Sequence, residues 1–574
     1  MIGGVIHHVT RKMLLVFIRR ILMTHPHDRA RRSAPRNLGD VAIVALLHVA
    51  ALSPAACSSR AERPATAPAG AAAHGSDGLA GATAGDWPGW QKDLRGTRYN
   101  AAETVITPST VAGLKLKWSF VFPDPEDRAH GSQPAVVGHT LYVGWGDGRI
   151  YALDARTGET RWVSEAAASA GSSVRDGPAV ADGKVIFGDT GGSLYALDAS
   201  TGRQLWSVRV GEHKSATITS SPLVFEGNVY VGVASHEEAA AADAAYPCCT
   251  SRGQFVSVSL ATGNVRWRRY ALPPAERVGS WPNGVARYAP AGATVWSSPA
   301  IDPVSRTVFY ATANNYSGTG EENDSVIALN ADTGALRWKQ QMNHPDVWTV
   351  GCMRSPIVHC PGLTDGTDLD YDFGASPNVF TVGRRTLVGI GQKGGFYHVF
   401  DATTGQIVWQ RQLSIAQRSD GGSAGILWGT AYDGRRIYAA TWLAKPGTLF
   451  GLDAATGEIL WRTPNPADGC TTGGAAAHTD VCTVANMSAV TATPGLVYEG
   501  GMDGRMRIYR AEDGKILWQY DTVREFTGVN HATGPGGAIP GGGGAVVAHG
   551  MLYVLSGYFS WFGMTGRVLL AFGL

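Results

Sequence analysis

The chain has 574 residues, of which 44% are hydrophobic and only 17% are charged, and it contains 74 Gly and 17 Trp. Glycine makes up about 13% of the chain where roughly 7% is usual, which is typical of a turn-rich β protein and argues against a helical bundle or a disordered chain. The 49 Lys and Arg residues nearly balance the 47 Asp and Glu residues, so the net charge is +2. Because nucleic-acid binders usually carry a clear basic surplus, DNA and RNA are excluded as expected partners.

Residues 1–57 have the composition of an export signal. Several arginines precede an apolar run at 41–52, and small residues then lead to Cys57. This order is that of a secretory signal, and the apolar run is too short to span a bilayer. We therefore expect an exported protein of the periplasm or cell envelope, with no transmembrane segment in its mature chain.

Two processing routes are open at the end of this signal. The residues before Cys57 resemble a bacterial lipobox, which implies a lipid anchor on Cys57. Pro54 stands where a leucine is usual, so ordinary cleavage near Ala55 is the alternative. The tract 58–85 is rich in Ala, Pro and Gly and predicts a flexible tether, so the folded domain is expected to span 86–574.

The remaining six cysteines form three close pairs along the chain. The adjacent Cys248 and Cys249 are compatible with a vicinal ring or with two reduced thiols. No CxxCH motif occurs, which excludes covalent c-type haem. The loop-closing disulfides expected in an oxidising compartment are Cys352 with Cys360 and Cys470 with Cys482.

One pattern recurs seven times from residue 86 onward. An apolar strand end is followed by Asp or a substitute, by a turn that ends in Gly, and then by Trp, as in ALDARTGETRW. The spacing leaves room for four short strands in each unit, which predicts propeller blades. A large ring at this position is expected to dock one blade on the next. The repeat tryptophans are Trp162, Trp206, Trp267, Trp338, Trp409, Trp461 and Trp518.

An eighth unit is divided between the two ends of the domain. LKLKW ends at Trp118 without a matching strand and turn upstream, and the chain finishes with RVLLAF, which supplies the missing half. Joining the halves would leave no exposed sheet edge. We therefore predict an all-β, eight-bladed β-propeller with tryptophan-docking repeats, closed by the C-terminal strand.

The ALDAxTGxxxW repeat and the opening WPGWQKDLRGTRYN resemble the pyrroloquinoline quinone (PQQ) alcohol dehydrogenases, from Trp87 to the end of the chain. YPCCTSRG, CPGLTDGTDLDYDFGASP and SGYFSWFGMTGRVLLAFG are similar to the polyvinyl-alcohol-dehydrogenase-like branch. The resemblance implies PQQ- and Ca²⁺-dependent oxidation of a secondary alcohol or a polyvinyl-alcohol-like polymer. Electrons would pass to an external cytochrome c or quinone.

Other functions are compatible with the same repeat. Propellers of the outer-membrane assembly scaffold share it without any cofactor, so a cofactor-free binding or assembly scaffold in the cell envelope is the alternative. A degenerate relative that binds PQQ but turns over poorly is a third hypothesis. The active-site positions discriminate between these hypotheses, because a scaffold needs no cofactor ligands.

The resemblance implies metal ligands at two positions. VYVGVASHEE is similar to the strand that carries the family's calcium-binding Glu, which places this role on Glu237. VFYATANN matches the segment of the family's Asn ligand, which points to Asn314. The alternatives are a solvated loop carboxylate at Glu237 and a turn former at Asn314.

The resemblance also implies cofactor-binding residues. GATVWSSPAIDP matches the segment whose Trp forms the floor beneath PQQ, which is Trp296 here. Thr219 in ITSSP stands where the family bonds a PQQ carboxylate, and Lys393 in GQKGGFY stands where a basic residue lies near the quinone oxygens. Arg252 resumes the family pattern after an insert. A buried core Trp and a solvated Lys are the alternative interpretations.

The catalytic base is expected in the stretch DLDYDFG. Asp370 and Asp372 would point to the same face of a strand, so that Asp370 binds the cation and Asp372 serves as base, or the reverse. Asp346 in NHPDVW is a further candidate, separated from the pair by an insert, and a solvated acidic loop is the alternative.

The sequence departs from the methanol-type relatives in two ways. Its vicinal cysteines follow Glu237, and no Asn-Trp partner of PQQ occurs near Trp428.

Overall fold

The computed structural model describes residues 82–574, except 125–131, 319, 343–345, 355, 362–369, 416–423, 443, 540–542 and 558–562. The predicted export signal with Cys57, and nearly all of the predicted tether, lie outside the described residues. Within the described part, no helix is long and apolar enough to cross a membrane.

The described chain begins its regular structure with a strand that belongs to the last sheet, β1 (Lys115–Val121). The first two complete sheets are β2 (Ala135–Val137), β3 (Thr140–Gly144), β4 (Ile150–Asp154) and β5 (Thr160–Ser164), then β6 (Ala179–Ala181), β7 (Lys184–Gly188), β8 (Ser193–Asp198) and β9 (Gln204–Arg209). The third comprises β10 (Ala216–Thr217), β11 (Leu223–Phe225), β12 (Asn228–Ser235), β13 (Gln254–Ser259) and β14 (Val265–Tyr270), and a hairpin of β15 (Glu276–Ser280) and β16 (Ala286–Ala289) follows.

The middle sheets continue this order. The fourth is β17 (Ala300–Asp302), β18 (Thr307–Ala311), β19 (Ser325–Asn330) and β20 (Leu336–Gln341). After the short β21 (Ala375–Ser376), the fifth is β22 (Asn378–Val382), β23 (Arg385–Gly391), β24 (Phe396–Asp401) and β25 (Ile407–Gln412). After β26 (Trp428–Gly429), which pairs with β21, the sixth is β27 (Ala431–Tyr432), β28 (Arg436–Ala440), β29 (Thr448–Asp453) and β30 (Ile459–Pro464).

The last sheets complete the ring. The seventh is β31 (Thr491–Thr493), β32 (Leu496–Gly500), β33 (Arg505–Arg510) and β34 (Ile516–Asp521), followed by the hairpin β35 (Glu525–Thr527) and β36 (Thr533–Pro535). The eighth joins β37 (Val546–Ala548), β38 (Met551–Ser556) and β39 (Val568–Gly573) to β1. The described helices are α1 (Glu237–Ala240) and 3₁₀ turns at Val111–Gly113, Ala168–Ala170, Val350–Met353, Ala467–Cys470 and Gly473–Ala477.

The strand positions differ in burial. The third strand of a sheet is buried on both faces by the neighbouring sheets, as in β19, where only the last residue is partly exposed. Such a strand carries an almost continuous apolar run. The fourth strand lies at the rim, and in β9 exposed and partly buried residues follow one another. Packing between sheets therefore accounts for the apolar strand ends of the repeat.

The ring closes through the two ends of the domain. β1 pairs antiparallel with β39, with Trp118 opposite Ala571 and Val121 opposite Val568. This pairing confirms the predicted eight-bladed, all-β propeller and its closure by the C-terminal strand. It also satisfies the backbone groups that an open edge would expose.

The repeat tryptophans dock successive sheets. The indole N–H of Trp338 donates to the carbonyl of Ala402 at 2.9 Å, and its ring covers Gly405, where a Cβ would come within 2.7 Å of it. Equivalent N–H bonds are made by Trp118, Trp162, Trp206, Trp267, Trp409 and Trp461. Trp518 faces the eighth sheet. In that sheet β39 and β1 are not joined by a glycine turn, and the Trp518 ring packs edge-on against Phe572 with ring centroids 5.3 Å apart.

A segment before β1, residues 87–100 (the strap), bonds the first strands of seven sheets. Its backbone carbonyls accept N–H bonds from β2, β6, β17, β22 and β27, at Val136, Val180, Ile301, Val379 and Tyr432. Asn100 then donates to the carbonyls of Ala492 in β31 at 3.0 Å and Val547 in β37 at 2.8 Å. The strap therefore ties inner strands that are distant in sequence.

All three cysteine pairs are joined. Cys352 bonds Cys360 and Cys470 bonds Cys482, with S–S distances of 2.05 Å, which confirms the two predicted loop-closing disulfides. Cys248 and Cys249 form a vicinal pair, so the structure selects the ring rather than two free thiols.

Replacing Trp338 by alanine is expected to weaken the docking of the fourth sheet on the fifth. The indole is 8% exposed, so its loss removes buried apolar area and leaves a cavity, and the free energy of unfolding should fall by about 3–5 kcal/mol. Equilibrium unfolding in urea measures this change. The control Val304→Ala, at a side chain that is 84% exposed, should change it by less than about 0.5 kcal/mol. Equal stability of the two variants would contradict the docking role.

Candidate active site

Three predicted site residues lie in the connection between the second and third strands of a sheet. Glu237 follows β12, Asn314 follows β18 and Lys393 follows β23. Corresponding strands of neighbouring blades run in the same direction, so these connections share one end of the ring. Because loops at the end of a rigid scaffold commonly carry function, this end is the candidate active site.

Lys393 is the cationic centre of the site. Its Nζ lies 2.9–3.0 Å from the carboxylate oxygens of Asp370 and 2.6 Å from Oδ1 of Asp372. The backbone N–H of Lys393 also donates to the carbonyl of Asp372 at 3.1 Å. All three side chains are buried. The structure therefore brings together the predicted basic residue and both predicted catalytic carboxylates.

Burial shifts the pKa values of the ionisable groups around Lys393. Burial raises the pKa of Asp370 well above its usual range, although Lys393 opposes the shift. Burial by itself would lower the pKa of Lys393, but Asp370 and Asp372 outweigh it and raise that pKa. Lys393 is consequently an ammonium ion at neutral pH. Since one ammonium balances one carboxylate, the group keeps an excess of acidic side chains.

Trp296 provides a flat face beside these charges. The Lys393 ammonium lies 5.0 Å from the ring centroid, and the indole N–H donates to Oδ2 of Asp372 at 3.0 Å. Gly374 permits this placement, because a Cβ there would lie 2.2 Å from the ring. The ring of Trp428 stands nearly perpendicular to that of Trp296, with centroids 5.4 Å apart.

Glu237 is turned to its own loop and not toward Lys393. Its carboxylate accepts the N–H of Thr250 at 2.9 Å and of Ser251 at 2.5 Å, and the hydroxyl of Tyr246 at 3.0 Å. The neighbouring Glu238 is half-buried. Burial raises the pKa of Glu238 to about 7, with Lys393 opposing and Asp372 reinforcing the shift.

Asn314 and its neighbour Asn315 bond the segment that carries Asp346. The N–H of Asn315 donates to the carbonyl of Asp346 at 2.9 Å, and the side-chain N–H of Asn314 donates to the carbonyl of Trp348 at 2.5 Å. Both carboxylate oxygens of Asp346 are buried without a hydrogen-bond partner among the described residues. Burial, and then the charges of Asp324, Asp372 and Asp370, raise the pKa of Asp346 well above its usual range.

The described residues contain no group of three or more His, Cys, Asp or Glu side chains placed to hold a metal ion. The predicted ligand set of Glu237, Asn314 and Asp370 includes an asparagine, so it stays a prediction. In the structure, two backbone N–H groups and a hydroxyl donate to the carboxylate of Glu237.

Two predicted cofactor-binding residues differ in placement. The hydroxyl of Thr219 donates to the backbone carbonyl of Trp296 at 3.3 Å, which puts it beside the Trp296 backbone. The guanidinium of Arg252 stacks 3.5 Å from the ring centroid of Tyr270 and donates to the carbonyl of Leu272. These contacts join Arg252 to the segment after β14 rather than to Lys393 or Trp296.

Arg175, Glu238 and Trp428 lie near the site but were not predicted as site residues from the sequence. The guanidinium of Arg175 lies 5.9 Å from the ring centroid of Trp428. Trp428 is a non-glycine residue with a positive φ of 64°, a strained conformation that is concentrated at functional sites. Glu238 was recognisable only as the neighbour of Glu237, and no pattern in the sequence indicated Arg175.

A series of hydrogen bonds that runs from the interior to the surface supports the Lys393 turn. Gln392 bonds both carboxylate oxygens of Asp324 at 3.0 Å and is 3.1 Å from Nε2 of His398. Gln410 completes the series at 2.8 Å from Nδ1 of His398. Because Gln392 immediately precedes Lys393, this series holds the turn that carries the ammonium.

Acid is expected to destabilise the protein through His398, since burial lowers its pKa to about 3. Between the ordinary histidine pKa of about 6.5 and that value the unfolded state binds a proton that the folded state does not, so stability falls as the pH falls. His398→Gln should reduce the stability loss between pH 7 and pH 4 by about 3 kcal/mol, measured by urea unfolding at both pH values. The exposed-site control His139→Gln should keep the original profile. An unchanged profile in His398→Gln would contradict the neutral buried imidazole.

Two family descriptions match parts of the chain. "Glucose/ethanol/alcohol dehydrogenase, beta-propeller domain" matches residues 87–359, which include Trp296 and both glutamates. "Outer membrane protein assembly factor BamB" matches residues 393–557. The second match reflects the shared repeat and covers less than a third of the chain.

Relatives extend the match over most of the chain. Polyvinylalcohol dehydrogenase of Pseudomonas sp. is 32% identical over 517 residues, which cover 86% of this chain and 77% of the relative. Polyvinylalcohol dehydrogenase of Sphingopyxis sp. strain 113P3 is 32% identical over 498 residues, which cover 83% and 73%. The solved quinohemoprotein alcohol dehydrogenase from Comamonas testosteroni shares the fold, with a TM-score of 0.61 and 19% identity over 85% of this chain and 80% of that one. The protein is thus an alcohol-oxidising oxidoreductase and belongs to the PQQ-type alcohol dehydrogenase family, in the branch of the polyvinylalcohol dehydrogenases.

Proposed function

We propose that the protein oxidises a secondary alcohol or a polyvinyl-alcohol-like polymer to the carbonyl compound, with PQQ and Ca²⁺ as cofactors. The electrons taken from the alcohol pass to an external cytochrome c or quinone. The observation that carries this proposal is the Lys393 ammonium, paired with Asp370 and Asp372 beside the face of Trp296. The substrate class is proposed from the similarity to the two polyvinylalcohol dehydrogenases.

The residues of the site fit a flat, anionic quinone. Such a group needs an aromatic face and hydrogen-bond donors. Trp296 supplies the face, and Lys393, Arg175 and Thr219 supply donors around it. The indole N–H of Trp428 is buried without a hydrogen-bond partner among the described residues, which leaves one further donor for a bound molecule.

The excess of acidic groups fits a hard cation with oxygen ligands. Burying unpaired carboxylates is costly, and Glu238, Asp346, Asp370 and Asp372 share the single ammonium of Lys393. We propose Asp370, the side-chain oxygen of Asn314 and Glu238 as ligands of Ca²⁺. Glu238 takes the place first assigned to Glu237.

The chain itself supplies the proton acceptor. When bound, PQQ provides the hydride acceptor. We assign the base to Asp372, whose Oδ2 is held by the indole N–H of Trp296 while Oδ1 faces Lys393 at 2.6 Å. Oδ1 accepts the hydroxyl proton of the alcohol, and Lys393 orients the carboxylate. Burial of this group excludes water from the reacting atoms.

We further propose that the protein acts in the periplasm or cell envelope. The composition of 1–57 supports an export signal, and the tract 58–85 supports a tether before a propeller domain at 86–574. Three disulfides suit an oxidising compartment. Lipid attachment at Cys57 and cleavage near Ala55 are distinguished by mass spectrometry of the mature N-terminus.

Reconstitution tests the cofactors directly. Chelator-treated protein is mixed with PQQ and Ca²⁺, and dye reduction is followed with a secondary alcohol and with polyvinyl alcohol. We expect activity only when both cofactors are present, together with quenching of tryptophan fluorescence by PQQ, because Trp296 lies at the site. Quinone binding without turnover would support a degenerate relative. Neither binding nor turnover would overturn the proposal.

Asp372→Asn tests the base. An amide cannot take the proton, so kcat should fall by about 10²–10⁴-fold, while fluorescence quenching by PQQ should persist. The control is Asp182→Asn, at an exposed turn remote from Lys393 in the sequence, and should retain the original kcat. Full activity of Asp372→Asn would exclude Asp372 as the base.

A further inference from the structure

The loop between β12 and β13 folds back onto Glu237. The side chain of Glu237 is wholly buried. Its carboxylate accepts the N–H groups of Thr250 and Ser251, at 2.9 and 2.5 Å, and the Tyr246 hydroxyl at 3.0 Å. Tyr246 precedes the vicinal cysteine pair and the two N–H donors follow it. The bonds to Glu237 therefore hold the pair from both sides.

These bonds require a carboxylate. Hydrogen bonds to an ionised acceptor are stronger than neutral ones, and a buried carboxylate is costly unless it is satisfied. A histidine and a lysine lie beside the loop. Nε2 of His213 is 3.0 Å from Oγ1 of Thr250 and 3.9 Å from Glu237, and the Lys214 ammonium lies 4.8 Å from the ring centroid of Tyr246. An amide at this position would turn an N–H toward other N–H donors.

The held loop is linked by packing and hydrogen bonds to the segment that carries Trp296. Cys248 and Cys249 are buried and pack in one cluster with Trp281 and Tyr316, and the indole N–H of Trp281 donates to the carbonyl of Cys248 at 3.0 Å. The hydroxyl of Tyr316 is 3.3 Å from Oγ1 of Thr294, two residues before Trp296.

We propose that Glu237 is a positioning residue that clamps residues 246–251, so that the vicinal cysteines and Glu238 line the site. The carboxylate acts through the loop and binds no cofactor itself. What the lined site binds rests on the proposed function, whereas the clamp is a property of this chain alone.

The test compares Glu237→Gln with Glu238→Gln in the full chain without added cofactor. Each protein is treated briefly with a water-soluble phosphine, alkylated, and analysed by mass spectrometry at every cysteine. In Glu237→Gln we expect Cys248 and Cys249 to be labelled at least about tenfold faster, because charged hydrogen bonds are lost. The pairs Cys352–Cys360 and Cys470–Cys482 serve as internal references and should keep their rates. Glu238→Gln should leave all three rates unchanged.

A second readout is the affinity for PQQ in the presence of Ca²⁺, measured by quenching of tryptophan fluorescence. Glu237→Gln should weaken it by about tenfold, and Glu237→Asp, which keeps the charge, should restore part of it. Tyr246→Phe removes one donor to Glu237 and should raise the labelling rate of Cys248 and Cys249 two- to fivefold. This variant tests the clamp if Glu237→Gln does not fold.

Equal labelling of the vicinal pair in Glu237→Gln and Glu238→Gln would overturn the clamp. A uniform rise at all three disulfides would also overturn it, since that result reports general loss of stability. Failure of every variant and of the unmodified protein to bind PQQ would contradict the proposed function instead, and the labelling rates would still decide the clamp.

Discussion

The whole arrangement depends on the pairing of strands from opposite ends of the domain. β1 and β39 are about 450 residues apart in sequence, and their ladder makes the eighth sheet. Without this pairing, the strand edge would expose unpaired backbone N–H and C=O groups. The first and last blades would then also lack contact with each other. The strap reinforces the ring from within, because it bonds the first strands of seven sheets. The loops of the third, fourth and fifth sheets can share one site only in a closed ring.

The chemistry of the site follows from buried charge. Lys393 is the ammonium ion that pairs with both Asp370 and Asp372, so that two buried carboxylates face one cation. A structure built for stability alone would replace such a group by apolar residues at little cost. Its presence beside the partly exposed ring of Trp296 supports the proposal that this site binds a cation and an anionic quinone.

The two adjacent glutamates divide their roles by direction. Glu237 opens α1 and its carboxylate bonds to the following loop, whereas the pKa of Glu238 responds to the charges of Lys393 and Asp372. A helical turn separates consecutive side chains by about 100°, so neighbours in sequence cannot both point at one site. The structural role of Glu237 and the proposed ligand role of Glu238 are thus consequences of the same short helix.

Local patterns in the sequence determined the architecture. The spacing of the tryptophan repeats, the split eighth unit and the two loop disulfides were predicted because each depends on residues that are close in sequence or repeated at regular intervals. The general location of Trp296, Lys393, Asp370 and Asp372 was also predictable. Only the tertiary structure decided which side chains face each other. It turned Glu237 to the amides of its loop, stacked Arg252 on Tyr270, and brought Arg175 and Trp428 to the site. These directions are set by packing between sheets that are far apart in the chain, and no local pattern records such packing.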